Sequence, residues 1–159
     1  MGAHAIARNK LDVEAAGFGP AAEAFWALVG SLHRPEARAM TEADAERHIR
    51  EELREVGRRL LQSHVDGRAP AAAEGIVVGA DDVERTHQRE HSRRVMTSLG
   101  RVDARRIGYG QRGVVSLHPL DAELNLPSTD EYSHVVREQI AELAAKQSFE
   151  SAIESRFGT

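Results

Sequence analysis

The chain reads as an α+β protein: N-terminal helices, a small antiparallel β-hairpin or sheet, an extended crossover and a C-terminal helix pair. Three observations predict this. Apolar residues recur at helical spacing between residues 41 and 65. Short strand-like segments rich in Val and Arg then surround a Leu99-Gly100 turn signal. After an aperiodic stretch with two prolines, helical spacing returns from residue 130 onward.

Residues 1–40 read as a variable N-terminal segment with one short helix. Order is not expected up to residue 19, where polar residues are scattered and Gly17 and Gly19 precede Pro20. Pro20 suits the first turn of a helix that lines up Phe25, Leu28, Val29 and Leu32, and Pro35 ends it. Thr41 then reads as an N-cap, with Glu42 and Asp44 in the first turn, where the helix dipole favours negative charge. Ala45, Ile49, Leu53, Val56 and Leu60 follow on one face of a helix over 41–65. Glu51 and Glu55 lie three or four positions from arginines, and Gly67 and Pro70 close the element.

The region 75–110 reads as β structure. Ile76-Val77-Val78 between Gly75 and Gly79 predicts a strand, and 93–99 and 101–109 predict two more joined at Leu99-Gly100. With those two residues as the loop, Val95 pairs with Ala104 and Thr97 with Val102. The other face then carries Arg94, Arg101 and Arg105, with Arg94 directly across from Arg105, a repulsive pair unless an anion intervenes. Residues 113–129, with Pro119 and Pro127, read as an extended linker. Ser128 with Glu131 resembles a capping box. The helix after it buries Val136, Ile140 and Leu143, turns near Gln147-Ser148, and continues as a second helix through Phe149, Ala152, Ile153 and Phe157.

Composition narrows the function classes. The 159 residues fit one domain or a compact module with an extension. The absence of cysteine excludes disulfides, Cys-based zinc fingers and iron–sulfur clusters. No apolar run is long enough to span a bilayer and no signal core follows the N-terminus, so a soluble cytoplasmic protein is expected.

Charge is uneven. Between Arg85 and Arg112 eight arginines meet two acids, Glu90 and Asp103, a formal +6 within a chain of −4. Positive charge of that density points to a polyanion, and phosphate is the commonest one. The alternative is that charged residues on an exposed ribbon serve solubility and protect its edges.

Catalytic patterns are sparse. His87-Gln88-Arg89-Glu90-His91 matches H-x-x-E-H, which on a helix sets two histidines on one metal. Strand-like surroundings and four neighbouring arginines argue against it, so no metal is expected. Asp81-Asp82 reads as a turn rather than a carboxylate pair, and no more is claimed for Asp121 and Glu123. Phosphate-binding glycine loops and nucleophile elbows are missing from the sequence. No cofactor and no catalytic residue is expected.

Read as a string, residues 76–157 resemble the N-terminal region of ISKra-type bacterial insertion-sequence transposases. The matching blocks are Val78-Gly79-Ala80-Asp81 with Arg85-Thr86-His87, Leu99-Gly100-Arg101-Val102, and Arg106 with Gly108-Tyr109. Further matches are Leu117, Pro119-Leu120-Asp121-Ala122, Leu124-Asn125-Leu126-Pro127, Tyr132-Ser133-His134, Arg137, and Ser148-Phe149 with Ala152. The helix containing Arg58-Arg59-Leu60-Leu61-Gln62 is similar to that family's opening helix. The resemblance implies a DNA-recognition module over 41–159, whose helix pair at 130–157 looks like the start of a helix-turn-helix. It also implies that cutting and joining belong to a DDE nuclease domain outside this chain, which is expected to be a truncated, non-catalytic fragment. Residues 1–45 carry no part of the resemblance.

The expected partner is DNA, contacted weakly and with little sequence preference through Arg89, Arg93, Arg94, Arg101, Arg105, Arg106 and Arg112. The competing expectation is a non-enzymatic interaction protein that forms a homo-oligomer through the 41–65 helix and binds no nucleic acid.

Overall fold

A computed structural model describes residues 16–69, 75–128 and 131–157, with side chains up to Phe149. The architecture is α+β. Helix α1 (Gly19–Leu32) leads through a 3₁₀ turn (Pro35–Ala39) into the long helix α2 (Glu42–Asp66). Strands β1 (Val77–Val78) and β2 (Glu84–Arg85) form a two-stranded antiparallel sheet. A three-stranded antiparallel sheet follows, from β3 (His87–Thr97), β4 (Gly100–Gln111) and β5 (Val114–Leu117), in the order β3-β4-β5. Helices α3 (Pro119–Glu123) and α4 (His134–Phe157) complete it. Among the described residues, no helix is long and apolar enough to cross a membrane.

The helical hairpin forms as its signals predict. Proline occupies the first turn of α1, where a missing N–H costs nothing. Thr41 caps α2 by accepting a hydrogen bond from the Asp44 amide at 3.2 Å. Ala21 and Leu28 of α1 and Val56 of α2 are buried, and the Ser31 hydroxyl meets His48 Nε2 at 2.9 Å.

Farther along α2, Val65 joins Val102 and Ala104 of β4 in the core, with Leu61, Leu124 and Leu126 packed against them. Gln62 closes the free edge of β4. Its side-chain amide donates to the Asp103 carbonyl at 2.8 Å and accepts from the Asp103 amide at 2.9 Å, as a neighbouring strand would.

The main hairpin differs from its expected register. Ser98-Leu99 is the loop, so Val95 faces Val102 and Arg93 faces Ala104. The cause is Gly100, whose φ of +125° suits the residue after the turn and not a turn position itself. Thr97 fixes the corner: its hydroxyl donates to the Gly100 carbonyl at 2.7 Å and accepts from the Leu99 amide at 3.2 Å.

Three further differences concern the C-terminal half. The stretch read as an extended linker contains β5, paired to β4 through Tyr109↔Leu117, and the helical turn α3. α4 starts at His134 and not beside Ser128, because the backbone of 131–133 is already used. Met96 donates to the Glu131 carbonyl at 2.6 Å, and Ser133 donates back to the Met96 carbonyl at 2.9 Å. Ser133 is therefore the cap, its hydroxyl accepting from the Val136 amide at 3.3 Å; Thr129 and Asp130 of the expected box lie outside the described residues. Finally, α4 runs unbroken through Gln147-Ser148, since no glycine or proline interrupts 134–157. Its side chains Val135, Ile140, Leu143 and Phe149 stand exposed, where burial of Ile140 and Leu143 was expected.

Candidate nucleic-acid interface

Alternation along β3 and β4 sorts the arginines onto two faces. Arg93 and Arg106 share the core face with Val95, Val102 and Ala104. Arg94, Arg101 and Arg105 share the opposite face. Arg89 lies on the core side near the strand start but is exposed, and Arg112 is exposed in the β4–β5 turn.

On the core face two of the arginines are engaged internally, both on one carboxylate. Asp121, held by α3, takes Arg93 Nη1 at 3.0 Å and also Arg106 Nη1. Arg93 additionally donates to the Pro127 carbonyl. The side chains of Arg93 and Arg106 are only 13% and 18% exposed. Expected as DNA contacts, these two arginines are instead struts that fasten α3 and the 124–128 loop to the sheet. Both guanidiniums are largely withdrawn from solvent and spend Nη donors on protein oxygens, so neither presents an open fork to a phosphate. Among the described residues, Arg106 Nε and Asp121 Oδ1 are left buried without a hydrogen-bond partner. A groove of about 970 Å³ passes this cluster, lined by Arg93, Arg106, His118, Asp121, Ser92 and Ser116 among others.

Arg85, the first arginine of the cationic segment, is likewise structural. It is 1% exposed and makes a two-pronged contact to Asp81, at 2.9 and 2.8 Å. It also donates to the carbonyls of Val83 and Val115. The guanidinium holds the Asp81 carboxyl well below its usual range, at about 2. Gly79 makes room for this: a Cβ there would stand 2.6 Å from Arg85 Nη1 and 2.9 Å from Leu117.

The outer face is different. Arg94 is 71% exposed and only loosely paired, Nε to Asp103 Oδ1 at 3.7 Å. Arg105 is 62% exposed and 3.9 Å from Asp66, and Arg101 is exposed. Asp103, not Arg105, is the residue across from Arg94, and Ser92 is across from Arg105. The repulsive pair expected from the sequence is thus replaced by an attractive one. Arg94 sits diagonally between Arg101 and Arg105, each diagonal step being about 7–8 Å in an antiparallel pair.

The H-x-x-E-H pattern is dispersed by the strand. His87 and His91 stand four residues apart on β3, about 13 Å along it, and Glu90 points to the opposite face. His91 instead meets His118, ring centroids 5.7 Å apart and edge-on. Burial, with Arg106 adding to it, holds the His118 imidazole below its ordinary value. Sequence reasoning missed both this pair and the Asp121 hub. Without β5 and α3, nothing brings residues 118–121 across the sheet from residues 91–93. Among the described residues no three His, Cys, Asp or Glu side chains group as a metal cage.

Comparison with family models, with curated proteins and with solved structures finds no match.

Proposed function

We propose that the outer face of the β3–β4 hairpin is a non-catalytic contact surface for the sugar-phosphate backbone of DNA, in a cytoplasmic protein related to transposase N-terminal modules. The observation that carries this reading is the diagonal run Arg101–Arg94–Arg105 on an exposed strand pair. Its step is of the order of the step between phosphates along one nucleic-acid strand. Exposed arginines keep their hydrogen-bonding capacity for a ligand, and their planar fork matches phosphate oxygens. Arg89, on the other face of β3, and Arg112, in the β4–β5 turn, are also exposed and add positive charge at the far end of the hairpin. The sequence resemblance to ISKra-type transposases supports DNA as the polyanion. Backbone contacts carry no base readout, so sequence preference is low.

The test is titration of a labelled duplex with wild type and with the triple variant Arg94→Ala, Arg101→Ala, Arg105→Ala. Each phosphate contact contributes about 0.9 to the slope of log K against log salt. The triple variant is expected to lose affinity at low salt and to flatten that slope by roughly 2 to 3. Unchanged binding by the triple variant, or no binding by wild type at low salt, refutes the reading.

A second reading is favoured by a separate observation. Phe25, Trp26, Leu53 and Leu60 are 42, 62, 47 and 45% exposed on the α1–α2 hairpin. Large apolar side chains left in water near one another mark interaction surfaces. In this reading two copies pair through α2, and the arginines serve solubility.

A further inference from the structure

We propose that protonation of His118 loosens a strap, residues 118–128, from the core face of the sheet, making the strap an acid-sensitive cover over Arg93 and Arg106. The strap leaves β5, passes through α3 and is fastened at several points. Leu120 is fully buried, and Leu124 and Leu126 pack on the Val65, Val102 and Ala104 core. Asp121 holds Arg93 and Arg106, and the Pro127 carbonyl accepts from Arg93. His118 is the residue that joins β5 to α3. Its half-buried ring rests against β4 at Gly108. A Cβ there would stand 2.9 Å from His118 Nε2, so this seat exists only because residue 108 is glycine. The His91 ring leans on the same glycine and meets His118 edge-on, with 5.7 Å between centroids.

The seat suits a neutral ring. The charged or titratable groups that face it are His91 and Arg93 of β3, Arg106 of β4 and Asp121 of α3. Arg94, Asp103 and Glu131 line the same groove without shifting the ring. Two guanidiniums share one carboxylate, so the surroundings hold a positive remainder before His118 gains a proton. Among the described residues Arg106 Nε has no hydrogen-bond partner, so that charge is incompletely met. Burial first, then Arg106, His91 and Arg93, hold His118 below its ordinary value of 6.5, and Asp121 offsets only part of this. Exposed His91 can turn its own charge to water, whereas His118 hydrates a proton only by leaving the glycine. A folded value below the unfolded one stabilises the closed strap fully above pH 6.5. That contribution is lost as pH falls through the folded value. When the strap lifts, Asp121 leaves with it, and Arg93 and Arg106 are released from their shared carboxylate.

The experiment is hydrogen–deuterium exchange of the full chain at about pH 7 and about pH 5, with rates corrected for intrinsic amide chemistry. From the higher to the lower pH, opening of the 118–128 amides is expected to rise at least about threefold more than that of the α2 amides. His118→Gln, neutral throughout, should abolish this rise. His87→Gln, which changes an exposed ring elsewhere on β3, should keep it. Imidazole resonances of the wild type give a second reading that needs no variant: His118 should titrate below His87. Strap exchange that ignores acid in wild type, an acid response that persists in His118→Gln, or a His118 that titrates at or above His87 overturns the proposal. None of these outcomes depends on DNA binding, which the outer-face variants report separately.

Discussion

Asp121 shows how one acid decides the role of two arginines. Its carboxylate meets both Arg93 and Arg106, and all three side chains are between 13 and 22% exposed. Removing it leaves two largely dehydrated cations facing each other. Breaking a fully buried pair costs about 3–5 kcal/mol, and partial exposure lowers that, so Asp121→Ala is expected to lose about 2–3 kcal/mol in urea unfolding. Asp103→Ala, which breaks an exposed contact at 3.7 Å, should change stability by less than about 0.5 kcal/mol. Equal effects would show that Asp121 is not the hub. Asp81 gives a pH signature. Its carboxyl falls from 3.8 to about 2 because Arg85 hydrogen-bonds the charged form. A folded value below the unfolded one stabilises fully above the unfolded value and is lost as pH falls through the folded value. Acid unfolding of wild type should therefore steepen between about pH 4 and pH 2 relative to Asp81→Asn. Parallel curves would rule out the Asp81–Arg85 contact as its source. None of these roles can be read from arginine count, because an arginine aimed at water and one aimed at Asp121 look alike in sequence.

At the level of elements, what was legible follows from the period of each structure. The caps of α2, the proline start of α1 and the outer-face grouping of Arg94, Arg101 and Arg105 were all readable. The hairpin register was not, yet the faces survived, because its error is two residues and strand side chains repeat every two. Only the cross-strand partners changed, which turned Arg94 from a neighbour of Arg105 into a neighbour of Asp103. The strand β5, the turn α3 and the 131–133 bridge are short and held by distant partners, so they leave little local signal. Gly100 is the residue that sets the register, and it gives an element-scale test. Alanine at a φ of +125° is strained, and its Cβ would stand 3.1 Å from Arg58 Cδ. Gly100→Ala should destabilise by about 1–3 kcal/mol and reduce amide protection along β3 and β4. Retained stability would mean that the turn relaxes to the Leu99-Gly100 loop.

For the molecule as a whole, two surfaces compete to explain it. A chain of net −4 carries a positive ribbon on one side of its sheet, so its field orients the ribbon toward a polyanion and the remainder away from it. The helical hairpin meanwhile exposes Trp26 at 62% and Leu53 and Leu60 at nearly half their areas. Glutamate at both leucines separates these roles, since α2 reaches the sheet through Leu61, Gln62 and Val65 instead. If two copies pair through α2, sedimentation should show a wild-type dimer that becomes a monomer in Leu53→Glu/Leu60→Glu. Trp26, the only tryptophan, would shift its emission to the red as the partner leaves. DNA affinity should fall only by the avidity of the lost second ribbon, with the salt slope per chain kept. A dimer that survives both glutamates, or a wild type monomeric at all concentrations, removes the α2 interface and leaves the arginine ribbon as the functional surface.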